Sequence, residues 1–216
     1  MIETPPVVIV LDHVKPENMW SIPDTRGGNT YYGARATGAD GREREHQDDA
    51  AEVVKQELER YGVDVVIKTP EDFGNYQDYD IYIRSRSSMG HITLPLHFDA
   101  EVGKGGVGFL TRVRPGDIED KKLADKIDKA LQIFHTENQE LGNYRTTDYV
   151  ANMTLNVASP GPATLVEMGS MVAWEQHYGK TFTNTSKFKE LARLLAKSII
   201  GEKIPPVMCP TGWPKV

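Results

Sequence analysis

The sequence predicts an α/β domain, a mainly parallel twisted sheet with helices on both faces. Three observations predict it. Val7–Leu11 is an unbroken run of β-branched and apolar residues behind a proline pair, as a strand buried on both faces requires. The stretch Arg42–Tyr61 instead carries its apolar residues at helical spacing and stops at Gly62, a natural C-cap. Apolar runs and helix-period stretches then alternate to residue 200, which places parallel strands under crossover helices.

The elements follow in order. After the first strand, residues 14–41 are rich in Gly, Pro, Asn, Asp and Arg and show no apolar period. A loop of that length inside a domain is usually functional or mobile. In the helix 42–61, residues 43, 47, 50, 51, 54 and 58 share one face. Val63–Ile67 reads as the second strand. Asp80–Ile83 fits a short strand or a helix start. Ile92–Phe98 reads as the third strand, with Ile92, Leu94, Leu96 and Phe98 on one parity and His91, Thr93, Pro95 and His97 on the other. Gly106–Leu110 reads as the fourth strand. Asp120–Leu141 is expected to be a long helix, Ala163–Glu167 a buried strand and Phe188–Ile200 a closing helix. The domain is expected to cover 1–202, with an irregular, proline-rich tail at 203–216.

With 216 residues, 39% of them apolar and 26% charged, the chain can build one ordinary core. The net charge of −6 argues against general binding of nucleic acid or of anionic membranes. A single cysteine, Cys209, excludes an intramolecular disulfide and a Cys-based zinc centre. The N-terminal apolar run is too short for a signal core or a membrane span, so no membrane insertion is expected. There is no P-loop, no G-x-S-x-G elbow and no G-x-G-x-x-G after a strand. The glycines of GKGGVG (103–108) precede a strand and read as a turn.

In open α/β sheets, ligands sit at the carboxyl ends of the strands. His13 follows the first strand, His97 ends the third and Glu167 ends a late one. Two imidazoles and a carboxylate at one edge make a three-ligand zinc site with an open fourth position. A second carboxylate there can act as general base to a water. Glu43 faces the sheet from the first turn of its helix, whereas Glu45 falls on the outer face. Each residue also has a simpler reading. Glu43 can be an acid stabilising a helix N-terminus, His13 can hydrogen-bond its loop, and Glu167 can pair with an arginine. His91 and His46 are possible replacements in the ligand set. His135 and His177 read as surface or substrate-side residues.

Two short motifs carry a resemblance. "LHFDA" (96–100) resembles S-I-H-x-N-A, and "ATLVEMGSM" (163–171) resembles A-x-L-V-E-x-G-F, both of the zinc-dependent N-acetylmuramoyl-L-alanine amidases of the Amidase_3 type. The stretch 40–70 is similar to that family's Glu-bearing helix and following strand, with Glu43 nineteen residues before Gly62. The resemblance runs from about residue 7 to 200. It implies a phosphorylase/hydrolase-like fold, Zn2+ held by His13, Glu43 and His97, and Glu167 as catalytic acid/base. It implies hydrolysis of the amide between N-acetylmuramic acid and L-alanine, with peptidoglycan (glycan strand and stem peptide) as partner.

The sequence departs from the family at "LDHVKP", which lacks the glycines of D-x-G-H-G-G, at Asp99 in place of Asn, and at Ser170 in place of Phe. His46 remains an alternative first ligand. A substrate wall is expected from the 14–41 loop, with Trp20, Tyr32 and Arg35 as binding residues, helped by Arg26 and Tyr31. A signal-less single-domain amidase resembles a phage endolysin, made in the cytoplasm and acting at the wall after release. The competing expectation is a native export signal missing from this chain. Competing functions are an N-formylglutamate-deformylase-like or carboxypeptidase-like zinc amidohydrolase, and an inactive wall-binding relative.

Overall fold

Strands β1 (Val7–Val10), β2 (Val65–Lys68) and β3 (Ile92–Asp99) lie where the apolar runs predict, within a few residues. β4 spans Phe109–Val113, β5 Asp148–Tyr149 and β6 Leu165–Ser170. The helices are α1 (Glu43–Glu59), α2 (Tyr76–Ser88), α3 (Ile118–Glu137), α4 (Met153–Val157), α5 (Met171–Tyr178) and α6 (Ser186–Ile200). The computed structural model describes residues 4–18, 20–22, 42–99, 108–149 and 153–202. The tail 203–216 therefore lies outside the described residues.

The six strands form one sheet in the order β2-β1-β3-β6-β4-β5. All neighbours are parallel except β4 and β6, which run antiparallel. Alternation along each strand divides the core in two. Val7 and Ile9 of β1, with Leu94, Leu96 and Phe98 of β3, face the cluster under α1, α3 and α6. Val8 and Val10 face the opposite cluster, with Tyr76, Tyr79 and Ile83 of α2 and Leu155 of α4. Both parities of β3 are buried because both faces of the sheet are covered.

Several expected boundaries move, each for a local reason. The ambiguous Asp80–Ile83 lies inside α2, which starts where the Asn75 side chain accepts from Asp78 N. Its buried face is Tyr76, Tyr79, Ile83 and Ser87, too polar to stand out as an apolar period. The helix expected to reach Leu141 ends at Glu137, and Gln139–Leu141 forms a separate 3-10 turn. The strand expected at 163–167 is β6, shifted toward Ser170, which then caps α5 by accepting from Ala173 N.

Candidate active site

The strand register sets a row of side chains across the carboxyl edge of the sheet. Val10 pairs with Pro95, so two residues further on Asp12 and His97 come level. His97 pairs with Glu167, and Glu167 pairs with Leu110 of β4. Directly paired residues put their side chains on the same face. Asp12, His97 and Glu167 thus meet at the edge predicted from the strand ends, each less than a tenth exposed.

Glu43 enters from the first turn of α1 and is 3% exposed. Its Oε1 accepts from Phe98 N (2.9 Å) and from Gln47 Nε2 (3.1 Å), and lies 2.9 Å from His97 Nδ1. Gln47 Nε2 also donates to Leu96 O (2.8 Å), tying α1 to β3 one turn below. Glu43 thus sits in the first turn of its helix, where an acid is favoured, while its oxygens face β3 and the histidines. The His13 Nε2 lies 3.4 Å from Glu43 Oε2, and the His13 and His97 rings meet edge-on with centroids 5.0 Å apart. Buried Arg44 donates to the His13 carbonyl (3.0 Å), which holds that turn without the glycines absent from "LDHVKP".

Asp12 is the residue that sequence reasoning missed. Its Oδ1 lies 2.9 Å from His97 Nε2, and its Oδ2 accepts from Thr154 Oγ1 of α4 (2.6 Å). Tyr76 of α2 donates to its carbonyl (2.7 Å). The available signal was its position one residue past the first apolar run. That signal did not distinguish it from an ordinary loop acid, because Thr154 and His97 are distant in sequence.

Charge and burial act together here. Burial alone would push Glu43 up, but the adjacent His13 and His97 hold its carboxyl far below the usual range. Burial disfavours protonated His97, yet Asp12 and Glu43 outweigh it and raise His97 well above an ordinary histidine. His13 is raised in the same way, mainly by Glu43. Glu167 behaves differently: burial pushes it up to about 7, aided by Glu43 and Asp99 and opposed by His97 and Arg112.

These residues fit a dication. Asp12, His13 and His97 form one group of converging ligand atoms, and Glu43, His97 and Glu167 another. Two donors on one tetrahedral zinc lie roughly 3.3 Å apart, from bonds of about 2.0–2.1 Å. The spacings from Glu43 to His97 Nδ1 (2.9 Å) and to His13 Nε2 (3.4 Å) are near that scale. His97 meets the two carboxylates through different nitrogens, Nδ1 toward Glu43 Oε1 (2.9 Å) and the buried Nε2 toward Asp12 Oδ1 (2.9 Å). An all N/O donor set of imidazoles and carboxylates suits zinc and other first-row dications alike.

The other expected residues fall elsewhere. His46, offered as an alternative first ligand, is turned to Glu175 (2.8 Å), which Arg42 also binds (3.2 Å), and packs on Phe182. His91 precedes β3 at the end opposite His97. Glu45 is exposed, as its helical phase predicts. His135 packs against Phe109 and Tyr144, and His177 is exposed. Trp20 is 66% exposed. Arg26, Tyr31, Tyr32 and Arg35 lie outside the described residues.

Fold and site together define a single α/β domain with a buried histidine–carboxylate cluster at the carboxyl edge of a mostly parallel sheet. No protein-family model matches the chain, and no curated protein matches it. Among solved structures it is similar to an N-acetylmuramoyl-L-alanine amidase from Clostridium difficile 630, at 16% identity over 92% of this chain and 97% of that one, with a TM-score of 0.60. It is similar to the catalytic domain of the CD27L endolysin targeting Clostridia difficile, at 17% identity over 93% and 99%, TM-score 0.59. It is also similar to the amidase AmiC2 of Nostoc punctiforme, at 14% over 91% and 96%, TM-score 0.56. At these identities the likeness establishes the shared fold.

Proposed function

We propose that the chain is a zinc-dependent hydrolase that cleaves the amide between N-acetylmuramic acid and L-alanine in peptidoglycan. The observation that carries this reading is one cluster, buried apart from the partly exposed His13. Two histidines and two carboxylates converge within ligand distance, and beside them stands Glu167, a carboxyl that burial pushes up to about 7. The names of the solved structures that share the fold support the choice of amide.

His13, Glu43 and His97 would hold the zinc, with Asp12 orienting His97 from its other nitrogen. When bound, a zinc polarises the scissile carbonyl and makes a water acidic enough to attack near neutral pH. Glu167 accepts that proton as the new C–O bond forms, and returns it to the nitrogen as the C–N bond breaks. Its raised pKa suits both halves, since the same oxygen must take a proton and release it. Burial of the row keeps bulk water from competing for that proton.

A role as an endolysin, released to the wall from the cytoplasm, extends the same proposal. Among the described residues no helix is long and apolar enough to cross a membrane. The test is mass spectrometry of peptidoglycan digested with the protein, with zinc or with a chelator. Free stem peptides beginning at L-alanine, formed only with metal, are expected. Cleavage of N-formylglutamate but not of peptidoglycan would select the small-substrate hydrolase, and metal-free binding without cleavage a wall-binding relative.

A further inference from the structure

The row of site residues does not stop at Glu167. Leu110, its direct partner on β4, is 2% exposed and floors a recess of about 400 Å³. The walls are Arg145, Thr146, Thr147 and Asp148. Two residues beyond Leu110, and so on the same face of β4, stands Arg112. Its Nη2 lies 3.8 Å from Glu167 Oε1, too far for a hydrogen bond.

Arg112 is short of partners for its position. Its Nε is buried and makes no hydrogen bond among the described residues, and the side chain as a whole is 32% exposed. A buried donor left unmade is costly, so such a donor is expected to have a role. Among the described residues the Glu167 contact is its only ion pair. Asp148 is its cross-strand neighbour, yet an Asp148 oxygen accepts from Tyr149 N instead (2.9 Å). Arg145, on the recess wall, has no ion pair among the described residues and is exposed. Arg145 thus lines the recess, and Arg112 stands next to it, beside Glu167 and paired across the strands with Asp148 of the recess wall. A guanidinium fork recognises a carboxylate through two parallel N–H···O bonds.

The geometry points to a carboxylate subsite: Arg112, with Arg145 on the recess wall, receives a free carboxylate of the peptide on the leaving-amine side of the scissile bond. This rests on the amidase reading above. The side follows from Glu167, which hands its proton to the departing nitrogen, so the groups beyond that nitrogen lie over Leu110 and the recess. In a stem peptide the residue after L-alanine is a γ-linked glutamate with a free α-carboxylate, or its amide, isoglutamine. The subsite therefore selects the acid over the amide.

The test uses the zinc-loaded protein and two matched substrates, N-acetylmuramoyl-L-alanyl-D-isoglutamate and the isoglutamine analogue. Wild type is expected to favour the acid in kcat/KM by roughly ten- to a hundredfold, as charge-assisted hydrogen bonds allow. Arg112→Gln should erase that preference, acting mainly through KM on the acid. Arg112→Lys, which keeps the charge and guards against misfolding, should retain part of it. Equal kcat/KM on both substrates by wild type would overturn the inference. So would an equal loss on both in Arg112→Gln, which would leave Arg112 acting only through Glu167. Calorimetric binding of the dipeptides L-alanyl-D-isoglutamate and L-alanyl-D-isoglutamine separates the two layers of argument. If neither substrate is cleaved, the amidase reading fails, and the subsite still stands or falls on tighter binding of the acid that Arg112→Gln removes.

Discussion

Replacing Glu167 by glutamine should make the protein inactive and, without metal, more stable above neutral pH. The carboxyl is 7% exposed, and burial raises it from the ordinary 4.5 to about 7. The sign follows from proton counting. Between those two values the folded chain holds a proton that the unfolded chain has lost, so stability falls as pH rises through that window. The gap of about 2.5 pH units, at about 1.4 kcal/mol each, makes the cost of the ionised carboxylate on the order of 3 kcal/mol above pH 7. The amide keeps the shape and carries no charge, so Glu167→Gln removes most of that cost. Turnover should fall by about 10²–10⁴, the range for a lost acid/base group. The assay is urea unfolding of chelated protein near pH 5 and pH 8, beside turnover and zinc stoichiometry of the loaded protein. Wild type should lose more stability between the two pH values than the variant, which keeps only the loss owed to the raised His13 and His97, and the variant should keep one zinc. A variant that unfolds more easily than wild type at pH 8, or that turns over within tenfold of it, would refute the reasoning.

Asp12→Asn and Thr154→Val should each weaken zinc binding while leaving a measurable site, Asp12→Asn by roughly 10–100-fold, as expected for a carboxylate that orients a ligand histidine. Glu43→Gln should abolish stoichiometric binding. Competition with a chromophoric chelator reads both, and the reverse order would make Asp12 the ligand and Glu43 the orienting group. Gly169→Ala should destabilise by roughly 2–5 kcal/mol, since φ is +102° and a Cβ would meet Trp174 Nε1 at 2.8 Å and Phe109 Cζ at 2.9 Å. Thermal unfolding checks it, and an unchanged midpoint would contradict the packing around the end of β6. Burial pushes Glu175 up, but His46 and Arg42 outweigh it and hold the carboxyl below its usual range. Its contribution is then complete above the ordinary carboxylate pKa and lost as pH falls through the lower folded value. Wild type should therefore be more stable than Glu175→Gln near neutrality and converge with it in acid, as paired acid-denaturation curves would reveal.

Much of this site was legible from local pattern. A continuous β-branched run makes β1, strict alternation makes β3, and the 3.6-residue face of α1 points Glu43 at the sheet. Those signals depend on neighbours a few residues apart, so they survive without knowledge of the rest of the chain. From them, and from the rule that ligands gather at carboxyl ends of strands, His13, Glu43, His97 and Glu167 already fall together.

What the tertiary structure alone decided depends on contacts across the chain. The antiparallel course of β4 beside β6 sets Leu110 against Glu167 and carries Arg112 to within 3.8 Å of it, and no local pattern encodes strand order. α2 buries a tyrosine face that reads as polar until Tyr76 meets the Asp12 carbonyl. Asp12 itself gained its place from Thr154, 142 residues away, and from the register that brings β1 level with His97. A residue's periodicity states which way it faces. Which distant groups it meets there depends on the order and register of the strands, and that is where the orienting acid and the guanidinium beside the base became visible.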